Sequence, residues 1–507
     1  MLIMKRLLLF LLLITPVVAK PLTPNVVFIL TDDQGWTDLE GFNEYSSKYY
    51  QTPALKKLAA EGFCFQRAYV EPVCSPTRAD ILTGLYPTRH HMYTVTDPKD
   101  SAKHQLGRRK NERQLDTKFT TISELLAKQG YRCAQIGKWH LGKAGTDTGP
   151  KARGFEITYG GSSQGMPGGG KSSTTGPQGP KGGKYWAAED GSFPFLANLP
   201  ANGKKGQYLT DRLTDEALKA MDEMKVDPFF LYFPHYGVHA PVQAPQSDID
   251  LYKNRKKDPK HPGHKNADYA GMVSSIDRSM ERVVKYLEET EDPRSPGKKL
   301  IENTFLVFMS DNGATSRTDN LPLVGKKATP YEGGVRVPLI IKWKDYRGST
   351  ETPVHAVDFF ATIGELCGIK SLPNTDGISI LPLLEGKGIE QRGLFRHQPV
   401  HVSGAPSSTI IKGRYKLLLQ YNSPDSKKYL GYGHYEFYDL ESPEGEQLNL
   451  AEGLDLAAPD LDQAFKNKQH KEVFLQLAKE LNQWLADTDA ALPYEKGTQK
   501  PVKLPKW

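Results

Sequence analysis

The chain has 507 residues but only four cysteines, Cys64, Cys74, Cys133 and Cys367. So few exclude a disulfide-built scaffold and leave at most two disulfides, in three possible pairings. Missing as well is any N-x-S/T sequon among the fifteen asparagines, where chance would supply roughly two, so nothing marks the chain as shaped by N-glycosylation. No apolar run after the first twenty residues approaches the ~20 residues that a membrane span needs. A strong charge of one sign is absent too: 66 Lys and Arg against 59 Asp and Glu leave +7. The basic clusters "GRRKNER" and "RKKDPKHPGHK" read as solvated loops, and no nucleic-acid partner is expected.

What is present begins with "MLIMKRLLLFLLLITPVVAKP". Lys5 and Arg6 precede an apolar stretch from Leu7 to Ile14, and small residues lead to Ala19, the pattern of a cleavable signal peptide over 1–19. Removing its two cations leaves +5. No cysteine follows Ala19, so neither a lipid nor a membrane anchor is expected. The expectation is an exported protein, periplasmic or secreted, of bacterial type.

"NVVFILTDD" is an apolar run ending in two carboxylates, and "TPALKKLAAEG" behind it has helical spacing. The alternation recurs in "FTTISELLAKQG" with "YRCAQIGKWHLG", in the helix near Asp211 to Met224 with "PFFLYFPH", and in a further helix with "NTFLVFMSDNG", before "PLIIKW". In that further helix Tyr269, Met272, Val273, Ile276, Met280, Val283, Val284 and Leu287 follow three-and-four spacing and read as core. Apolar strands alternating with helices predict an α/β fold: a large mixed, mostly parallel sheet sandwiched by helices. After about Arg392, "SSTIIKGRYKLLLQY" and "HYEFYDLESPEGEQLNL" read as short strands with turn signals. The division is therefore a catalytic domain over 20–391 and a smaller antiparallel-sheet subdomain over 392–507, closed by a helix from about Asp460 to Thr488 and a tail. The Gly/Pro/Ser-rich "YGGSSQGMPGGGKSSTTGPQGPKGGKYW" reads as a surface loop, or as a lid or rim over a site.

Ligands of such sheets bind beyond the carboxyl ends of the strands. Those ends carry Asp32, Asp33, Lys138, His140, His235, His239, Asp311 and Asn312. Each alone is an ordinary loop former or cap, but three carboxylates and an amide oxygen together make a hard-oxygen set suited to Ca²⁺ or Mg²⁺. In "VCSPTRADILTGLYPTRHH", Ser75 reads as a helix N-cap and Pro76 as the first helical residue, placing Cys74 just before a helix N-terminus, an end that attracts anions. Arg78 lies within the first turn, where its guanidinium can reach back toward Cys74. Cys74 can then be a low-pKa thiolate, half of a disulfide or the precursor of a catalytic group. For Cys64, Cys133 and Cys367, inert burial or one disulfide is the reading.

These motifs resemble the formylglycine-dependent type I sulfatases of the alkaline-phosphatase-like superfamily. "CSPTR" matches the C-x-P-x-R signature, "GKWHLGK" the second signature, "NVVFILTDDQGW" and "SDNG" the two metal strands, and "GKKATPYEGGVRVP" the glycine-rich segment. They stand in family order and span most of residues 25 to 345. "YEFYDLESPEGEQLNL" resembles the family's C-terminal sheet. The resemblance implies that a formylglycine-generating or sulfatase-maturating enzyme converts Cys74 to 3-oxoalanine. One hydroxyl of the hydrated aldehyde attacks sulfur, and the other then expels sulfate. It implies one calcium per chain, held by Asp32, Asp33, Asp311, Asn312 and the modified Cys74, with Arg78 holding the diol. Lys138 is implied to bind sulfate, His140 to take the elimination proton, and His239 to protonate the leaving oxygen with help from Lys327, Lys326 being its adjacent alternative. His235, Arg396, His397 and His401 are candidates for substrate contact. The implied reaction is hydrolysis of a sulfated carbohydrate's sulfate ester. A phosphate or phosphonate monoester hydrolase, and a non-catalytic binder of sulfated glycans with an unmodified Cys74, are the alternatives.

Overall fold

Seven buried residues, Asn25–Thr31, form the central strand β1. Its side chains alternate between two cores: Val27 and Ile29 pack on one face, Val26, Phe28 and Leu30 on the other. A strand apolar on both faces must lie inside a three-layer sandwich, which explains the unbroken hydrophobic run. A computed structural model of the chain describes residues 22–95, 106–107, 110–167, 185–402, 404–421, 433–452, 454, 460–497 and 499–505. The expected signal peptide and the middle of the glycine-rich insertion lie outside the described residues.

Around β1 are β2 (Phe63–Phe65), β3 (Arg132–Ile136), β4 (Ile157–Tyr159), β5 (Phe229–Pro234), β6 (Thr304–Ser310), β7 (Leu339–Lys342) and β8 (Gly348–Thr350). They form one eight-stranded sheet in the order β8–β2–β7–β6–β1–β5–β3–β4. β6, β1, β5, β3 and β4 are mutually parallel, whereas β7 runs antiparallel to both β6 and β2. The sheet is thus mixed and mostly parallel, an alkaline-phosphatase-like architecture.

Helices cover both faces. α1 (Pro53–Glu61), α4 (Leu209–Met224) and α5 (Ala267–Glu289) lie on one side. α2 (Cys74–Thr83), α3 (Ile122–Lys128) and α6 (Asp358–Leu366) lie on the other. The three-and-four residues of α5, from Tyr269 to Leu287, are core, with only Val284 partly exposed. Each fully buried Leu, Ile or Phe contributes about 1.5–3 kcal/mol, so these cores fix the sheet on which the site is built.

The C-terminal part is a separate four-stranded antiparallel sheet of β9 (Leu394–Gln398), β10 (Ser407–Lys412), β11 (Tyr415–Gln420) and β12 (His434–Asp439). Helix α7 (Lys468–Asp487) packs Phe474, Leu477, Leu481 and Leu485 on it, capped by Asn467, whose side chain accepts from Gln469 and His470. Among the described residues no helix is long and apolar enough to cross a membrane. All four cysteines are free and buried. The one-disulfide alternative for Cys64, Cys133 and Cys367 is not formed, because Cys64 is on β2, Cys133 on β3 and Cys367 at the end of α6, each packed in apolar core.

Candidate active site

Because β6, β1, β5 and β3 are adjacent and parallel, their carboxyl ends open onto one edge. Immediately beyond them follow Asp311 and Asn312, Asp32 and Asp33, His235 and His239, and Lys138 and His140. Thr31 pairs with Ser310, and the Asp311 amide donates to the Thr31 carbonyl at 3.0 Å, which sets Asp32 and Asp311 side by side. Asp33 adopts φ 68°, a left-handed turn that Asp tolerates better than larger residues, and its amide donates to Asp311 Oδ1 at 3.3 Å.

Cys74 is the first residue of α2 and Val73 the N-cap, two residues earlier than the expected start at Pro76 with Ser75 as cap. Ser75 Oγ is engaged elsewhere, donating to the His140 carbonyl at 3.1 Å, which ties the helix to the β3 turn. Cys74 Sγ donates to Asp32 Oδ1 at 3.3 Å, and Lys327 Nζ donates to Sγ at 3.3 Å. Burial, with Asp311 and Asp32 beside it, pushes the thiol up to about 12. Burial and these carboxylates work against a low-pKa thiolate at an unmodified Cys74.

Three carboxylates face three cations here. Lys138 Nζ lies 2.5 Å from Asp32 Oδ2, and Lys327 Nζ 2.5 Å from Asp33 Oδ1. Arg78, fully buried, donates to Asp311 Oδ2 from Nε at 3.0 Å and Nη2 at 2.7 Å, and to the Lys138 carbonyl from Nη1 at 3.1 Å. Arg78 thus braces Asp311 and the Lys138 backbone. Burial raises the Asp311 carboxyl, with Asp32 adding to it. Against burial, Lys327 and His239 hold Asp33 well below the usual carboxylate range, helped by a bond from Asn312 Nδ2 at 2.8 Å. Asn312 Oδ1 is buried with no hydrogen-bond donor. Three clustered carboxylates and an undonated amide oxygen are a hard-oxygen donor set, so these residues fit a calcium ion.

His140 and His239 complete the pocket. Burial lowers His140 well below the ordinary range, with Lys138 and Arg78 adding, so it is a neutral acceptor at pH 7. Its Nδ1 is buried without a hydrogen-bond partner. Gly165 abuts the ring: a Cβ there would meet His140 Cε1 at 2.5 Å. Burial, with Lys327 next, lowers His239 to about 4. His239 Nδ1 lies 2.8 Å from the Ala240 carbonyl and Nε2 3.9 Å from Asp33 Oδ2. Burial would lower Lys327, but Asp33, Cys74 and Asp32 hold it well above its usual value and therefore charged.

The glycine-rich segment positions Lys327. Its amide donates to the Ala314 carbonyl at 2.8 Å, and the Ala328 amide to Pro72 at 2.7 Å, two residues before Cys74. Gly313 sits flat on the same segment, donating to the Gly334 carbonyl at 2.9 Å; a Cβ on it would come 1.9 Å from the Gly333 carbonyl oxygen. "SDNG" and "YEGG" are thus two halves of one close backbone contact.

The structure gathers Asp32, Asp33, Cys74, Arg78, Lys138, His140, His239, Asp311, Asn312 and Lys327 at this edge. Lys326 is set in the backbone turn, its amide donating to Thr329 Oγ1 at 3.1 Å. The remaining candidates lie deeper. His235 is buried, 3.3 Å from Ser279 Oγ of α5, its ring against Phe233. Arg396 on β9 is buried and donates to Ser407 Oγ at 3.1 Å, and His397 lies 2.7 Å from Ser408 Oγ. His401 follows β9, half-buried. Sequence reasoning missed Tyr185, whose hydroxyl donates to the Tyr236 and His239 carbonyls at 2.6 and 2.9 Å. It follows the glycine-rich insertion with no motif to mark it.

The fold and this edge define an alkaline-phosphatase-like hydrolase with an anion pocket of lysines, arginine and histidines around a hard-cation site. The sequence model of the family described as Sulfatase matches residues 24–369. A sulfatase of Formosa agariphila is 32% identical over 91% of this chain and 92% of its own. The mouse N-acetylgalactosamine-6-sulfatase is 30% identical, covering 78% of this chain and 72% of its own. Among solved structures, Ps i-CgsB superposes with TM-score 0.67 and 25% identity over 92% of this chain and 94% of its own, and has also been solved with k-i-k-neocarrahexaose. The chain belongs to the sulfatase family and is a sulfuric ester hydrolase.

Proposed function

We propose that this sulfatase acts, after export, on a sulfated carbohydrate, using a formylglycine made from Cys74 and one bound calcium. The observation that carries the reading is the placement of Cys74 Sγ 3.3 Å from both Asp32 Oδ1 and Lys327 Nζ. A thiol pushed up to about 12 is a poor nucleophile there, whereas a hydrated aldehyde meets both groups with oxygen. The carbohydrate reading draws on the relatives: one is named for N-acetylgalactosamine-6-sulfate, and another was solved with a carrageenan oligosaccharide.

Asp32, Asp33, Asp311 and Asn312 would hold the calcium, which supplies charge to neutralise sulfate oxygens and to acidify the attacking hydroxyl. Lys138 and Lys327, released from their carboxylates when the cation binds, would hold the remaining sulfate oxygens. Arg78 favours the ionised form of Asp311 against burial and holds the Lys138 turn in place. His140, neutral at pH 7, accepts the proton at its ring nitrogen during elimination. His239 is neutral in the resting site, and a bound anion beside it raises its affinity for a proton. With charged Lys327 adjacent, the pair delivers that proton to the leaving sugar oxygen.

Mass spectrometry of the tryptic peptide Ala68 to Arg78, from protein made in its natural host, tests the nucleophile. Formylglycine at position 74 is expected, and an unmodified cysteine would favour the non-catalytic binder. Matched aryl sulfate and aryl phosphate esters test the reaction, with sulfate turned over faster. A clear preference for phosphate sinks the reading.

A further inference from the structure

The pattern "HPGH" within a basic cluster has no role in sulfate-ester chemistry. Its two histidines converge on one carboxylate oxygen from a different loop. His261 Nδ1 lies 3.1 Å and His264 Nε2 3.2 Å from Asp319 Oδ1, and the three ligand atoms lie within 4.8 Å of one another. Both histidines are buried, while Asp319 is 19% exposed at the wall of a cavity of 470 Å³ shared with Thr315, Asn320 and Lys326. The group is therefore reachable from solvent.

His264 Nε2 lies 3.0 Å from the Asp319 carbonyl as well as 3.2 Å from Oδ1 and is satisfied when it carries a proton, but the contact of His261 with the carboxylate is not so simply explained. His261 Nε2 is 2.8 Å from the Tyr45 carbonyl, which only accepts, so Nε2 carries a proton. In a neutral ring, Nδ1 then presents a bare lone pair to a carboxylate oxygen that also only accepts. A cation, either a second ring proton or a metal ion, therefore belongs between them. His264 is stacked on His261, with centroids 4.5 Å apart and an interplanar angle of 7°. Its Nδ1 is buried without a hydrogen-bond partner, so a proton displaced from Nε2 can move there.

We propose that His261 Nδ1, His264 Nε2 and Asp319 Oδ1 bind one divalent cation of the zinc class, distinct from the calcium site. Two imidazoles and a carboxylate are a borderline-soft set unlike the all-oxygen calcium set. A tetrahedral ion with bonds of about 2.0–2.2 Å holds its ligands about 3.3–3.5 Å apart, so small shifts from the observed 3.1 and 3.2 Å admit it. The Tyr45 carbonyl orients the His261 ring as the outer partner such ligands ordinarily have. Asp38 Oδ1 is a further oxygen, 3.7 Å from His264 Nε2. The bound cation pins three loops: the one bearing Tyr45, the His261–His264 turn and the Asp319 segment. Tyr269 OH, 2.5 Å from Asp38 Oδ2 and 3.3 Å from the Asp33 carbonyl, carries that rigidity toward the active-site edge.

The test is titration of calcium-saturated protein with Co²⁺, read by visible absorption, and elemental analysis after equilibration with Zn²⁺. A Cys74→Ala background removes the active-site thiol as a competing ligand. One equivalent of four-coordinate Co²⁺ absorption is expected, with affinity at least tenfold weaker in His261→Gln and in the near-isosteric Asp319→Asn. Neither readout needs turnover, so a failed sulfatase assay does not bear on the result. Should His261→Gln not fold, Asp319→Asn decides alone, since its amide oxygen can still accept from Gly263. No Co²⁺ absorption, equal binding in Asp319→Asn, or protonation of both His261 nitrogens in zinc-saturated protein overturns the proposal.

Discussion

Lys416 on β11 is fully buried, 3.1 Å from Glu332 Oε1 and 2.7 Å from Glu446 Oε1. Glu332 begins the "EGG" turn behind Lys327, so this cation joins the C-terminal sheet to the segment that carries an active-site lysine. Burial raises the Glu332 carboxyl, but Lys416, Arg336 and Arg67 hold it below the usual range. Burial, and then the charge of Glu332, pushes Glu446 up to about 7 despite Lys416. Lys416→Met keeps the stem and removes the charge, leaving two carboxylates facing each other out of water. Removing one partner of a buried pair costs about 3–5 kcal/mol, a large part of the about 5–15 kcal/mol that holds a typical domain folded. The sign with pH follows. In the variant Glu446, already raised, loses the cation that opposed burial and binds its proton still more tightly folded than unfolded, so stability falls as pH rises above about 4.5, by up to about 1.4 kcal/mol per unit, until its folded pKa is passed. The expected result in urea unfolding is a loss of about 3–5 kcal/mol at pH 8, shrinking toward pH 5.5, with a parallel fall in kcat/KM. Neutralising both partners as well, with Glu332→Gln and Glu446→Gln, recovers part of the stability. A loss under about 1 kcal/mol at pH 8, or one that does not change with pH, refutes the reasoning.

His239→Gln is expected to lower kcat on a sugar sulfate about 10²–10⁴-fold but on a nitrophenyl sulfate less than about tenfold, because a good leaving group needs no proton. Equal losses on the two substrates would remove the acid role. Calcium at a hundredfold over its Kd should add about 2.7 kcal/mol of stability, seen as a rise in thermal midpoint that Asp311→Asn abolishes; no shift in the unsubstituted protein counts against the site. Gly313→Ala places a Cβ 1.9 Å from the Gly333 carbonyl oxygen, so the two backbone segments must part. Stability should fall by about 1–3 kcal/mol together with kcat, and wild-type kinetics would show that the contact does not position Lys327.

Much of this protein was legible in its residues. The strands of the sheet core are visible as apolar runs because both faces are covered, and their polar ends mark the edge where chemistry gathers. α2 starts two residues before the position its cap residues predict, because Ser75, an ordinary cap by type, is drawn to the His140 carbonyl 65 positions away. Arg396 and His397 stand in a strand whose inward face no alternation in "RHQPVHVSG" discloses, and the structure buries both. Tyr185 and Glu332 act through carbonyls and charges contributed by distant segments, which local spacing does not encode.

The sequence by itself determined which groups exist: the C-x-P-x-R cysteine, the carboxylates at two strand ends, the lysines and histidines, and the order that carries the family resemblance. Only the tertiary structure decided their electrostatic state. Whether Cys74 is acidic or protonated, whether Asp33 is held low or Asp311 raised, and that Arg78 braces Asp311 depend on burial and on charges within a few ångströms. Those neighbours come from residues as far apart as Asp32 and Lys327, brought together because parallel strands place their carboxyl ends on one edge.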